Sequence, residues 1–390
     1  MTGWRSVLGV ACALGLGGLL LGASSAEAQV PFTAIGLGYP IRSLDARSLG
    51  LGGVATGLLD GTSSLGNPAD LTLHDSPVVS VSVAAEDIDL KHEDGSQNTG
   101  RSWFPVIDAV IPLEDWAFRV GFGGLLDQDL KVILTDTLST SFGRFEFEEL
   151  RTRDGGLSQI DISAARRLGP FSIGFGLQRL TGSLRQTLRR RFTADVDSTG
   201  SLPAPVLEGS RTDYGGWAFK AGANATFADR ILVSGSFFWS TVLKARESED
   251  LFERTFNLPN GFELGASGRI SQRLMLTAGA GFSGWSDTAS PLVGAEAVDV
   301  TWLGGGFEYT TVMGTMPVAL RVGGRKRDLP FRLPGRAQPS EQAITFGFGA
   351  LFSGRARFDL GFEVGSRGDL DTTDIEESFL AGSFTFSISQ

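Results

Sequence analysis

The feature that most constrains this chain is a rhythm. From Pro77 onward, segments with an apolar residue at every second position are joined by connections that alternate between short and long. Phe171, Ile173, Phe175 and Leu177 alternate with Ser172, Gly174, Gly176 and Gln178. Trp116, Phe118, Val120 and Phe122 alternate with Ala117, Arg119, Gly121 and Gly123, and the same pattern runs through Phe358 to Val364 and Phe384 to Ile388. Successive side chains of a strand point to opposite faces, so each segment has one apolar face and one of glycine, small polar or charged residues. Soluble sandwiches alternate too; the connections separate the cases. Leu113-Glu114-Asp115, Gly169, Asp229, Ser271-Gln272, Gly314 and Ser353-Gly354 are tight, whereas Thr135 to Gly155, Thr193 to Gly209 and Pro330 to Ser340 are long and polar. Tight turns at one end and long loops at the other mark a transmembrane barrel. Lipid also admits only helices and closed barrels, because every backbone polar group must be paired. Fourteen segments, the first four near 78–90, 101–112, 116–133 and 156–168, predict an all-β fold. It is a transmembrane antiparallel β-barrel of fourteen strands over residues 78–390, with a small N-terminal hatch of short helices. Asp108, Arg119, Asp161, Lys220, Glu263, Glu308, Arg321, Asp359 and Glu363 fall on the face opposite the apolar residues. Both signs are present, which predicts pairing between neighbouring strands and no charge-selective constriction.

Residues 1–28 read as an export signal. Arg5 is the positive start, Val7 to Leu21 the apolar stretch, and Ala26-Glu27-Ala28 a small-x-small cleavage pattern, with cleavage expected after Ala28. The one cysteine, Cys12, lies inside that segment, so disulfides, thiol catalysis and cysteine-bound metals are not expected in the mature chain. A formal charge of −10 argues against nucleic acid, which needs a basic surface to displace counterions. His74 and His92 are the only histidines and neither has a nucleophile pattern beside it, so no enzyme, metal or cofactor is expected. Beyond Ala28 no apolar run reaches the roughly 20 residues of a membrane helix. Trp116, Trp239 and Trp285 stand near segment ends, where interfacial aromatic belts lie.

Residues 29–77 have no sustained alternation. Gly50-x-Gly52-x-x-Ala55 resembles a dinucleotide fingerprint, but no strand precedes it and no β-α-β unit surrounds it, so that match is discarded. Its small residues predict short helical turns packed in a confined space. Asn67-Pro68 predicts a helical start, with Asn capping and Pro in the first position.

Three stretches carry a resemblance. The first is Gly50-x-Gly52-Gly53 followed by Asp60 and Asn67-Pro68-Ala69; the second is Leu258-Pro259-Asn260-Gly261-Phe262-Glu263-Leu264-Gly265, continuing to Trp285-Ser286-Asp287; the third is Gly304-Gly305-Gly306-Phe307-Glu308-Tyr309 with Leu320-Arg321-Val322-Gly323-Gly324. In order and spacing they resemble the FadL/TodX family of outer-membrane transporters over most of the mature chain. The resemblance implies a fourteen-strand barrel stoppered by a hatch, here residues 29–77, in the outer membrane of a Gram-negative bacterium. It implies a monomer that passes hydrophobic compounds passively, long-chain fatty acids or similar lipids, with hatch-gated lateral release at a bent strand.

On that reading Val30, Phe32, Ile35, Leu37, Leu49, Leu51, Val54, Leu58 and Leu65 are candidate pocket lining, and each is equally explained as packing that seals the hatch. Gly50, Gly52, Gly53, Asn67, Pro68 and Ala69 are candidate anchors of the hatch. Arg185, Arg189, Arg190 and Arg191 are candidate contacts for lipopolysaccharide phosphates or a ligand carboxylate. Two other functions fit such a barrel: a non-transporting, PorV-like partner of a secretion system, and a general porin for polar solutes.

Overall fold

In a computed structural model of the chain, the structure describes residue 32 and residues 35–92, 95–140, 143–195, 202–247, 253–288, 295–352 and 354–390. The expected signal at 1–28 and the pocket candidate Val30 lie outside the described residues.

The wall has fourteen strands in sequence order. They are β1 (Val78–His92), β2 (Gly95–Trp103 and Val106–Leu113), β3 (Trp116–Asp127 and Leu130–Thr140), β4 (Gly143–Leu168), β5 (Phe171–Asp195), β6 (Val206–Phe227) and β7 (Ile231–Ser240 and Val242–Glu247). There follow β8 (Glu253–Asn257 and Gly261–Arg269), β9 (Leu274–Ser283), β10 (Val300–Met313), β11 (Met316–Asp328), β12 (Ser340–Phe352), β13 (Ala356–Asp369) and β14 (Ile375–Ser389). Neighbours pair antiparallel throughout, and the sheet closes where β14 pairs with β1 from Val78 opposite Ser389 to Lys91 opposite Glu376. Closure removes the edges that lipid would otherwise leave unpaired.

The alternation gives the wall its two faces. Val79, Val81, Phe118, Val120, Phe122, Ile162, Phe175, Leu264, Leu320, Ile344 and Phe362 are exposed on the outside, while Asp108, Arg119, Asp161, Arg321 and Asp359 are buried inside. Tight turns, several built on positive φ at Glu114, Gly169, Asp229, Gly314 and Gly354, lie at one end. By the rule that short turns face the periplasm, that end is periplasmic.

The loop end differs from the expectation in three places. The predicted loop Thr135 to Gly155 is largely strand: Leu130–Thr140 pairs with Gly143–Arg153, and β4 continues against β5 as far as Phe145 opposite Asp195. Likewise the polar run Gly95-Ser96-Gln97-Asn98-Thr99 pairs with the top of β1, and Thr193 to Gly209 is strand at both ends. These ladders rise past the apolar belt, where water meets both faces, so main-chain pairing continues with no alternation to reveal it. Trp285 also departs from expectation. It is buried inside, its ring against Phe331 at 5.3 Å, beneath a small sheet that joins Glu296–Ala297 to Phe331–Arg332. Trp116 and Trp239 are on the outer face.

Residues 35–77 lie within the barrel. Helix α1 (Ala46–Gly50) packs on β11 to β14, and a 3-10 helix (Pro68–Leu73) packs on the opposite wall, β2 to β6. Asp45 caps α1: its carboxylate accepts from the Ser48 amide at 2.7 Å and from Thr62 Oγ1 and the Ser63 amide at 2.8 and 2.9 Å. Asn67 caps the 3-10 helix by accepting from the Ala69 amide at 2.9 Å, with Pro68 in its first turn as the sequence predicts.

Candidate functional site

Inside the wall, the charges divide into anchors and cross-strand pairs. Arg47 is buried on α1 and donates from Nε and Nη2 to the Glu308 carboxylate at 3.0 and 2.9 Å. Its Nη1 donates to the carbonyls of Leu59 and Gly61 at 3.0 and 2.8 Å, so one guanidinium ties the inner segment both to the wall and to itself. Arg321 of β11 reaches Glu308 of β10 at 2.7 Å, which is the expected pairing between neighbouring strands, and also reaches past β12 to Asp359 of β13 at 2.8 Å. Arg42 and Thr56 meet Glu263, and Lys220 donates to the Leu65 carbonyl. Several wall charges predicted to pair among themselves thus serve residues 35–77 instead.

The candidate anchor residues lie at points of close backbone approach. Gly52 has φ +72°, and a Cβ there would stand 2.4 Å from the Gly324 carbonyl oxygen and 2.6 Å from that of Gly305. A Cβ on Gly50 would stand 3.0 Å from the Gly347 Cα, and the Gly52 amide donates to Thr345 Oγ1 at 3.0 Å. Only glycine fits on both sides of such a contact. Gly53 also has positive φ. Asn67 Nδ2 donates to Asn224 Oδ1 of β6 at 2.8 Å, and Pro68 and Ala69 lie over Gly174 of β5.

The apolar candidates are divided between two places. Leu51, Val54 and Leu58 cluster near the periplasmic half with Leu232 and Met275, while Leu65 is buried and Leu49 half-buried outside that cluster. Phe32, Ile35 and Leu37 join a larger cluster with Leu258, Trp285, Leu329 and Phe331, which lie outside the fourteen strands, and with Leu126, Leu157, Leu180, Leu243 and Phe256 of the wall. These wall residues point inward, onto the parity that elsewhere carries glycine and charge. The sequence reading missed them, yet they leave a trace: on β5 the apolar parity is odd from Phe171 to Leu177, and Leu180 and Leu184 break it. A cavity of about 110 Å³ opens onto the cluster between Gln186, Tyr214, Ala245, Arg254 and Phe256. Ligand pockets start at roughly 300 Å³, so this cavity holds a ligand of ordinary size only if side chains move.

Beside the chamber the wall is unzipped. The β2–β3 ladder runs from Leu113 opposite Trp116 to Val106 opposite Gly123 and stops. Among the described residues no ladder joins Gly95–Trp103 of β2 to Leu130–Thr140 of β3. β3 carries a bulge between Gly124 and Leu126 and breaks after Asp127. Residues from the inner segment take the free edge of β3. Tyr39–Pro40 pairs with Leu126–Asp127, the Ile41 amide donates to the Leu125 carbonyl at 2.9 Å, and Ser43 Oγ donates to the Gly124 carbonyl at 2.8 Å. Arg101 of β2 bridges the gap to Asp127 at 2.6 Å. The Tyr39 hydroxyl donates to Glu341 and accepts from Arg327, and burial pushes its pKa up to about 12, so the phenol stays neutral. Neither Tyr39 nor Arg101 was a candidate from sequence.

The four candidate arginines do not form one site. Arg190 turns inward, pairs with Glu149 at 2.5 Å and lies 4.6 Å over the Phe147 ring. Arg185, Arg189 and Arg191 are exposed on the other face of β5, above the apolar belt that ends at Leu177. Strand parity separates them: residues 189, 190 and 191 face out, in and out.

No family model matches the sequence, and no curated protein matches it. Solved structures do. A FadL homologue of Pseudomonas aeruginosa superposes with a TM-score of 0.60 at 14% identity, covering 90% of this chain and 99% of that one. The toluene transporter TodX of P. putida superposes with a TM-score of 0.58 at 14% identity, over 90% and 99%. The monoaromatic hydrocarbon channel CymD superposes with a TM-score of 0.56 at 15% identity, over 92% and 98%. The chain has the fold of the FadL/TodX barrels over nearly its whole described length.

Proposed function

We propose that this chain is an outer-membrane channel for the passive movement of hydrophobic compounds, lipids such as long-chain fatty acids among them. Residues 29–77 act as its hatch and the β2–β3 seam as its lateral exit. The observation that carries the reading is the inward-facing apolar cluster of Leu157, Leu180, Leu243, Phe256 and Phe331 beside a stretch of wall with no ladder. A pore for polar solutes has no use for apolar residues on its inner parity. For an apolar cargo each step from lipid to chamber to lipid keeps apolar surface out of water, worth about 25 cal/mol per Å². The structural neighbours include a toluene transporter and a hydrocarbon channel, which supports the same cargo class. The occupied interior speaks against an open porin.

Three exposed arginines, Arg185, Arg189 and Arg191, stand above the belt, and we assign them to lipopolysaccharide contact; Arg190 is excluded by its pairing inside. The test of the channel is lipid extraction and mass spectrometry of detergent-purified protein, paired with uptake by a deletion strain. Recovery of apolar molecules and slowed uptake are expected. An empty protein together with unchanged uptake refutes the reading, and co-purification of exported proteins with an empty chamber favours the secretion partner.

A further inference from the structure

The seam is closed by a tyrosine, and the surroundings of that ring specify a chemistry. Tyr39 is buried, with the guanidinium carbons of Arg101, Arg327 and Arg367 at 4.4, 4.8 and 4.4 Å from its ring centroid. Its hydroxyl sits between Glu341, which accepts from it, and Arg327, which donates to it. The arginines do not depend on Tyr39 for their placement. Arg101 is held by Glu86 and Asp127 at 2.6 Å each, Arg367 by Glu377 at 3.1 Å and by Glu86, and Arg327 by Glu341 at 2.8 Å. All of these belong to the wall, whereas Tyr39 belongs to the segment that must withdraw from β3 if the seam is to open.

We propose that this cage of arginines around Glu341 is a binding site for a phenol ring on the cargo, with Tyr39 as its resting occupant. The inference rests on the reading of the seam as the exit of a hydrophobic-compound channel. Withdrawal of Tyr39 leaves Glu341 and Arg327 without a hydroxyl that they hold in a buried setting, and removes one ring face from the three guanidiniums, of which Arg101 keeps Trp103 at 4.9 Å and Arg367 keeps Phe379 at 4.0 Å. An incoming phenol restores both, its hydroxyl donating to Glu341 and accepting from Arg327. A bare aromatic hydrocarbon restores only the ring contact, and an aliphatic alcohol restores only the hydrogen bonds. A site built around a hydroxyl rejects the analogue that lacks it far better than an apolar pocket rejects a wrong shape. The gate therefore favours apolar molecules that carry a phenol.

The test uses 4-propylphenol, propylbenzene and 4-propylcyclohexanol, radiolabelled, with cells that express the full chain and have no other route for these compounds. Entry of the phenol about tenfold faster than propylbenzene is expected, the factor that corresponds to one lost hydrogen bond to a charged group, and about threefold faster than the alcohol, which loses only the ring contact. Equal entry of all three, above cells carrying empty vector, overturns the phenol site and leaves the channel standing. No entry above vector overturns both. A second measurement is independent of transport: purified Tyr39→Gly protein, with its cage vacated, is titrated calorimetrically with 4-propylphenol and propylbenzene. Saturable binding of the phenol alone supports the site. Absence of binding, or equal binding of both compounds, overturns it.

Discussion

Substituting Arg47 with methionine tests how the inner segment is held. Methionine keeps most of the side-chain length and removes the guanidinium, which makes two hydrogen bonds to Glu308 and two to the carbonyls of Leu59 and Gly61. Loss of one partner of a buried ion pair costs about 3–5 kcal/mol, chiefly through the charge left behind. Here Glu308 keeps Arg321 at 2.7 Å, so the stranded charge is partly compensated and the lower end of that range applies. A local loss of about 3 kcal/mol raises the open fraction of the segment roughly 100-fold. Hydrogen-exchange mass spectrometry in detergent reads it directly. Amides of residues 46–62 exchange roughly 100-fold faster in the variant, while those of β1, β4 and β5 keep their protection. Unchanged protection at 46–62 refutes the anchoring role. Equal loss of protection across the wall refutes the idea that this segment opens apart from the barrel.

Gly52→Val brings a branched side chain to a position with φ +72° and 2.4 Å from the Gly324 carbonyl oxygen, so the segment undocks; limited trypsin digestion then cuts after Arg42 and Arg47 while the barrel keeps its heat-modifiable gel mobility. Phe175→Arg puts a charge on the outer face at a residue 63% exposed to lipid and lowers folding stability in bilayers by about 2–4 kcal/mol, read from urea titration. His74 has its pKa pushed down to about 4 by burial and by Arg119, against an ordinary 6.5. The unfolded chain therefore takes up a proton that the folded chain refuses, and the contribution of His74 is complete above pH 6.5 and lost as pH falls toward 4. Asp70, pushed up to about 7 by burial, gives the opposite slope, so the clean observable is the difference between proteins. His74→Gln gains stability relative to the parent between pH 7 and pH 5, and no relative gain refutes the assignment.

The strand count was legible in the sequence because lipid enforces it. Phe118, Phe175 and Phe362 must face out, and Arg119, Gly176 and Glu363 must face in, so the alternation survives wherever the wall crosses apolar surroundings. It fades where β2 to β5 rise into water, and there residues 95–100 and 135–140, strand in the structure, fall outside the alternating segments. The 3-10 helix announced itself through Asn67-Pro68, whose capping is local chemistry. The seam did not. Tyr39–Pro40 is two residues of extended chain, paired with Leu126–Asp127 nearly ninety positions away in the sequence, and no periodicity marks so short a strand. The chamber was half-visible: the sequence pointed to Phe32, Ile35 and Leu37, but their partners Leu157, Leu243 and Phe256 become neighbours only when the barrel closes. Arg190 was misgrouped because four basic residues in a run of seven look like one patch until strand parity separates them.

The order in which the chain emerges and the order in which it can settle are opposed. Residues 35–77 are made before any of the wall, yet α1 rests on β11 to β14, Thr385 of the last strand accepts from the Ala46 amide, and Glu377 accepts from the Phe32 amide 345 positions downstream. Such distant partners are slow to find one another, because loop closure comes before the contacts that reward it. Half of the stopper can settle early on β2 to β6, but α1 has no seat until the final staves are raised, so the plug is completed only as the barrel closes.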